Sequence, residues 1–289
     1  MIVSGSGFHF AGFKRGRRWR IWRKRSRKPC RAETDDRCKE RCELSADHYV
    51  PPSSWLRSLH KPSGSTNRLI YLPYAGGGAG VYSRWVPFLP DALELLAVQY
   101  PGREDRLEEN PPDSIRSIAR RVAVALQWFN DKPYSIFGHS MGSVVAYETC
   151  RFAEMLGVAG PEELVVAAGE PPDRLAVGDL SGASVGRAMT SSAGTDTHGE
   201  HGAVGSPTAN LEHDLELLAD YAGLDVTSTS VRVPIVVLTY EDDPDIDTDA
   251  VRSWSSRTER NCRYTVLPGD HFSCFTDPGR TICEITSGA

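Results

Sequence analysis

The sequence predicts an α/β fold, a mostly parallel sheet with helices on both faces. Six short apolar runs predict it first: Leu69–Leu72, Leu95–Gln99, Tyr134–Phe137, Glu163–Ala168, Pro234–Tyr240 and Arg263–Leu267. Each has strand length, and near-continuous apolar character is what a strand shows when both of its faces are covered. Helical patterns alternate with these runs, the order that builds parallel sheets. At 289 residues, 40% hydrophobic and 25% charged, the chain suits one such domain with an appended segment. It holds no uncharged apolar run of the ~18 residues a membrane span needs.

Residues 1–65 read as a basic, disordered extension. Eleven Lys or Arg and no acid lie between Lys14 and Arg31, which leaves the rest of the chain far more acidic than the net charge of -5 implies. An acidic body with a detached basic arm argues that the arm stands outside the core. Contact with nucleic acid or anionic lipid, an organellar presequence and a dispensable extension are the competing readings, and the last is preferred. The seven cysteines have neither zinc spacing nor the density of a disulfide scaffold, so they are expected to be reduced structural thiols in a cytoplasmic protein.

The main domain is expected over 66–289. Its first strand runs into the glycine cluster Ala75–Gly80. Between Ser114 and Phe129, Ile115, Ile118, Val122, Leu126 and Phe129 recur at steps of three and four, an amphipathic helix. The strand at Tyr134–Phe137 leads through a tight turn into a helix from about Ser143 to Leu156. A short or disordered lid insertion is placed at about 176–228, with a floppy surface excursion as the alternative that composition leaves open. Its first part is rich in Gly, Ser, Thr and Ala, and a helix follows with Leu211, Leu215, Leu218 and Tyr221 on one face and Asn210 as its cap.

Gly138-His139-Ser140-Met141-Gly142 fits G-x-S-x-G between an apolar strand and a helix, the setting of a nucleophile elbow. A serine alcohol needs a base to take its proton and an acid to orient that base. His271 is the candidate base, because it follows a late core strand, whereas His198, His201 and His213 lie in or beside the lid. Glu241, Asp242 and Asp243 are adjacent carboxylates after the preceding strand; Asp243 is chosen as the acid, with Asp242 as the alternative. Two backbone donors should face the oxyanion, Met141 just after the nucleophile and Ala75 in the glycine loop. The loop lacks the Lys-Ser or Lys-Thr of a phosphate cradle and the G-x-G-x-x-G setting, which argues against nucleotides.

Four stretches then show a likeness: LPYAGGGAGVYSRW (Leu72–Trp85), VQYPGREDRL (Val98–Leu107), FGHSMGSVVAYE (Phe137–Glu148) and PGDHF (Pro268–Phe272). In this order the chain resembles the type II thioesterases of polyketide, non-ribosomal peptide and fatty acid synthases, over residues 67 to 275. VQYPGREDRL is the most telling stretch, since generic esterases have no reason to keep it. The resemblance implies an α/β-hydrolase fold and hydrolysis of acyl groups from the phosphopantetheine arm of an acyl or peptidyl carrier protein. It implies Ser140, Asp243 and His271 as triad and Ala75 and Met141 as oxyanion donors, with no metal or redox cofactor. A monomer with no nucleic-acid partner is expected. The sequence departs from the family in its glycine-rich lid, where only HDLELLADY (His213–Tyr221) keeps a likeness, and in Tyr240–Pro244, where the family often shows glycines and an aspartate. A carboxylester hydrolase and a catalytically impaired binding module on the same fold are the alternatives.

Overall fold

The computed structural model describes residues 54–175, 207–222, 224 and 229–286. A seven-stranded sheet runs through them in the order β1-β3-β2-β4-β5-β6-β7. The strands are β1 Leu56–His60, β2 Asn67–Leu72, β3 Leu93–Val98, β4 Tyr134–His139, β5 Leu164–Ala167, β6 Ile235–Tyr240 and β7 Cys262–Leu267. Only β1 runs antiparallel to its neighbour β3; the other pairs are parallel. All six apolar runs become strands. β3, β5 and β6 are buried along their whole length, as parallel strands are when helices cover both faces. β7 ends the sheet, and its Tyr264 and Val266 are exposed.

Helix α1, Ile115–Leu126, starts where Ser114 Oγ accepts the Ser117 N–H at 3.1 Å, and it buries Ile115, Ile118, Val122 and Leu126. The predicted stretch to Phe129 ends instead in tight turns, with Trp128 and Phe129 N–H donating three residues back. Helix α2, Met141–Leu156, begins directly after Ser140, two residues earlier than the periodicity suggested, and stops at Gly157, whose φ is 66°. α1 packs on α2, which rests on β2, β4 and β5. A 3-10 segment, Ala79–Phe88, buries Tyr82 and Trp85.

Helix α3, Pro207–Ala222, is the helix expected inside the lid insertion. Asn210 is not its cap: it lies buried within the first turn. Short helices α4, Thr248–Val251, and α5, Ser273–Thr276, precede α6, Pro278–Thr286, which buries Thr281, Ile282 and Ile285.

The sheet reaches into the segment read as extension. β1 lies within residues 1–65, with Trp55 and Leu56 buried and the Arg106 guanidinium 4.6 Å from the centroid of the Trp55 ring. Its period is short and mixed with charge, so the alternation carried no strand signal. The Arg-rich arm, Cys30, Cys38, Cys42, the glycine-rich part of the lid insertion, His198 and His201 lie outside the described residues. No helix among the described residues is long and apolar enough to cross a membrane.

Candidate active site

The order of the strands places the site. From β2 the chain passes to β3 on one side and then to β4 on the other, so the loops after β2 and β4 flank a switch point, where open parallel sheets form a crevice at the strands' C-terminal ends. The glycine loop follows β2 and Ser140 follows β4.

Ser140 has φ 53° and ψ -121°, a conformation rare for a side chain bearing Cβ. Holding it costs on the order of 1–3 kcal/mol, which the surrounding structure must offset. Its N–H donates to the Ala167 carbonyl at 2.9 Å and its carbonyl accepts from Ser143 N–H at 2.9 Å. The flanking glycines are steric necessities. A Cβ on Gly138 would meet the Gly142 carbonyl oxygen at 2.2 Å, and one on Gly142 would meet the Leu72 carbonyl oxygen at 2.2 Å. Met141 is the first residue of α2, where backbone N–H groups have no partner within the helix.

His271 and Asp243 meet: Nδ1 lies 2.9 Å from Asp243 Oδ2. The other carboxylate oxygen of Asp243 accepts the Asp245 N–H at 2.9 Å, an Asx turn that aims the side chain. Glu241 and Asp242 are exposed. A carboxylate against Nδ1 puts the ring proton there and leaves Nε2 with a free lone pair, as a base requires.

His139, the residue before Ser140, is fully buried in a cage of Tyr74, Phe272, Phe275 and His271 rings. Its Nε2 lies 2.7 Å from the His271 carbonyl oxygen, an acceptor, so Nε2 carries the proton and donates. The turn at Ser140 and the loop bearing His271 are thereby joined. Burial, with the nearby His271 adding to it, pushes the His139 pKa well below the usual histidine value and keeps the ring neutral.

Ala75 sits in the loop after β2 and is nearly buried. The next two N–H groups are committed, Gly76 to Asp214 Oδ2 at 2.7 Å and Gly77 to the Tyr74 carbonyl at 2.9 Å. Asp243, Asp245 and His271 place three possible metal-ligand atoms within 4.8 Å of one another. The hydrogen bond between Asp243 and His271 and the turn at Asp245 account for that closeness without an ion.

Three residues that hold these loops escaped the sequence reading: His139, which ties to the His271 carbonyl, Asp214, which accepts the Gly76 N–H, and Arg103, which donates to Asp214. The VQYPGREDRL stretch was the available signal for Arg103. Asp214 lies in HDLELLADY, where a buried carboxylate is indistinguishable by pattern from a solvated one.

Comparison with known proteins places the chain in a family and a fold. Residues 67–287 match the thioesterase domain family. The chain is 31% identical over 252 residues to thioesterase PikA5 of Streptomyces venezuelae, covering 81% of this chain and 85% of the relative. It is 27% identical over 228 residues to the gramicidin S biosynthesis protein GrsT of Aneurinibacillus migulanus, covering 76% and 88%. The solved type II thioesterase BorB of the borrelidin cluster superposes with a TM-score of 0.63 at 29% identity, covering 81% of this chain and 97% of that one. With the family matched over most of its length and the elbow and late strands placed as that fold requires, the chain belongs to the thioesterase domain family and has the α/β-hydrolase fold.

Proposed function

We propose that the protein is a serine thioesterase that removes acyl groups from the phosphopantetheine arm of an acyl or peptidyl carrier protein. Family membership supports thioester hydrolysis. The observation that carries the catalytic reading is the 2.9 Å contact of His271 Nδ1 with Asp243, on a loop hydrogen-bonded to the residue beside Ser140.

In this reading His271 Nε2 takes the Ser140 hydroxyl proton as Oγ attacks the thioester carbonyl. Asp243 holds the imidazole in its tautomer and stabilises the imidazolium. The N–H groups of Ala75 and Met141 receive the oxyanion, and a single donor of this kind typically contributes about 10²–10³ in kcat. Collapse of the intermediate breaks the C–S bond, His271 returns the proton to the departing thiolate, and an acyl-Ser140 ester remains. Water, deprotonated by His271, then releases the acid and restores the serine. No step asks for a metal or a redox cofactor. The protein acts as a monomer on a carrier-bound substrate, in the cytoplasm, and the insertion at about 176–228 serves as its lid.

Mass spectrometry of an acylated carrier protein incubated with the enzyme tests this. Wild type should remove the acyl group and Ser140→Ala should not. Loss of the acyl group with both proteins, or with neither, contradicts the reading. A carboxylester hydrolase would instead turn over short aryl esters far faster than acyl thioesters.

A further inference from the structure

The VQYPGREDRL stretch supplies no member of the triad, yet Arg103 within it is only 2% exposed and Asp214 on α3 is fully buried. Arg103 Nη1 and Nη2 donate to Asp214 Oδ2 and Oδ1 at 2.7 and 2.8 Å. Nη1 also donates to the Gly77 carbonyl at 3.0 Å, and Asp214 Oδ2 accepts the Gly76 N–H at 2.7 Å. Leu211, one turn before Asp214, rests on the same loop: a Cβ on Gly76 would come within 3.0 Å of Leu211 Cβ.

Two backbone groups of the glycine loop therefore terminate on a single buried ion pair. Taking both charges out of water is expensive, and well-packed apolar residues often stabilise such a place as well or better. What the pair supplies is direction, because a guanidinium fork on a carboxylate has one planar geometry.

We propose that Arg103 and Asp214 are positioning residues for the oxyanion loop. The Gly76 N–H belongs to the peptide unit that follows Ala75, and the Gly77 carbonyl to the second one beyond it. Fixing both fixes the backbone through which the Ala75 N–H is aimed, and α3 becomes the buttress of that loop. The inference rests on the reading of Ala75 as an oxyanion donor.

The test compares purified full-length wild type with Arg103→Met/Asp214→Leu, using propionyl-N-acetylcysteamine as a small thioester and a propionylated carrier protein. The double variant removes both charges together, so the fold keeps its melting temperature, while Gly76 loses its acceptor. The expected result is a kcat lower by about 10²-fold, the cost of a catalytic group misplaced by about 1 Å. The loss should be equal on both substrates, with KM within about threefold.

A double variant with wild-type stability and kcat within threefold of wild type overturns the inference while leaving the proposed function intact. A loss seen only with the carrier substrate, or only in KM, also overturns it, since that marks a docking role. Absence of wild-type turnover on either thioester overturns the proposed function and this inference with it. Should the double variant not fold, Asp214→Asn carries the test. It keeps one oxygen to share between Gly76 and Arg103, so kcat should fall about tenfold with the fold retained, and an unchanged kcat overturns the proposal.

Discussion

Asp243 differs from Glu241 and Asp242 in one respect that matters: its side chain is turned inward by the Asp245 N–H and meets His271 Nδ1. Three adjacent carboxylates look alike in a sequence, so strand order could bring a candidate acid to this loop but could not separate Asp243 from Asp242. Asp243→Asn keeps the shape and loses the charge that selects the tautomer. Its kcat should drop by about 10⁴-fold with the fold intact, measured by turnover beside circular dichroism; a loss under tenfold would remove Asp243 from the mechanism. His139 gives a stability signature. Its folded pKa lies below the unfolded value of about 6.5. The stability it contributes is thus present above pH ~6.5 and is lost as pH falls toward the folded value. Wild type should lose melting temperature more steeply between about pH 6.5 and 5 than His139→Phe does. Equal slopes would show that the buried ring does not resist protonation.

At the scale of elements, the parallel strands were legible because covered faces demand uninterrupted apolar runs, and the six runs needed no tertiary information to be found. The edge strand was not. β1 pairs on one side only and mixes Arg57, Ser58 and His60 with two leucines, so neither alternation nor continuous apolarity marks it. A helix start was also displaced, at Met141, because the turn at Ser140 feeds its helix without a linker. Deletions separate β1 from the arm before it. Removing residues 1–49 should leave the melting temperature and kcat unchanged. Removing residues 1–65 also takes away Trp55, Leu56 and the strand, and should cost at least the ~3–5 kcal/mol of a buried tryptophan. Equal stability of the two truncations, by chemical denaturation, would contradict a structural role for β1.

Across the whole molecule, the glycine loop, Ser140, Asp243 and His271 follow the C-terminal ends of β2, β4, β6 and β7, from positions spread over nearly two hundred residues. Their order along the chain was readable from the sequence. The ties that hold them together were not, since His139 to the His271 carbonyl and Arg103 to Asp214 join residues 132 and 111 positions apart. Such contacts leave no periodic trace. The proposed chemistry requires that Ser140 be acylated during turnover. Rapid quench of the enzyme with excess acyl thioester, followed by peptide mass spectrometry, looks for that ester directly. The expected result is one acyl group on the peptide carrying Ser140, formed faster than steady-state turnover or at the same rate, and absent in His271→Ala. An acyl group on any other residue, or turnover that persists in Ser140→Ala, would contradict it.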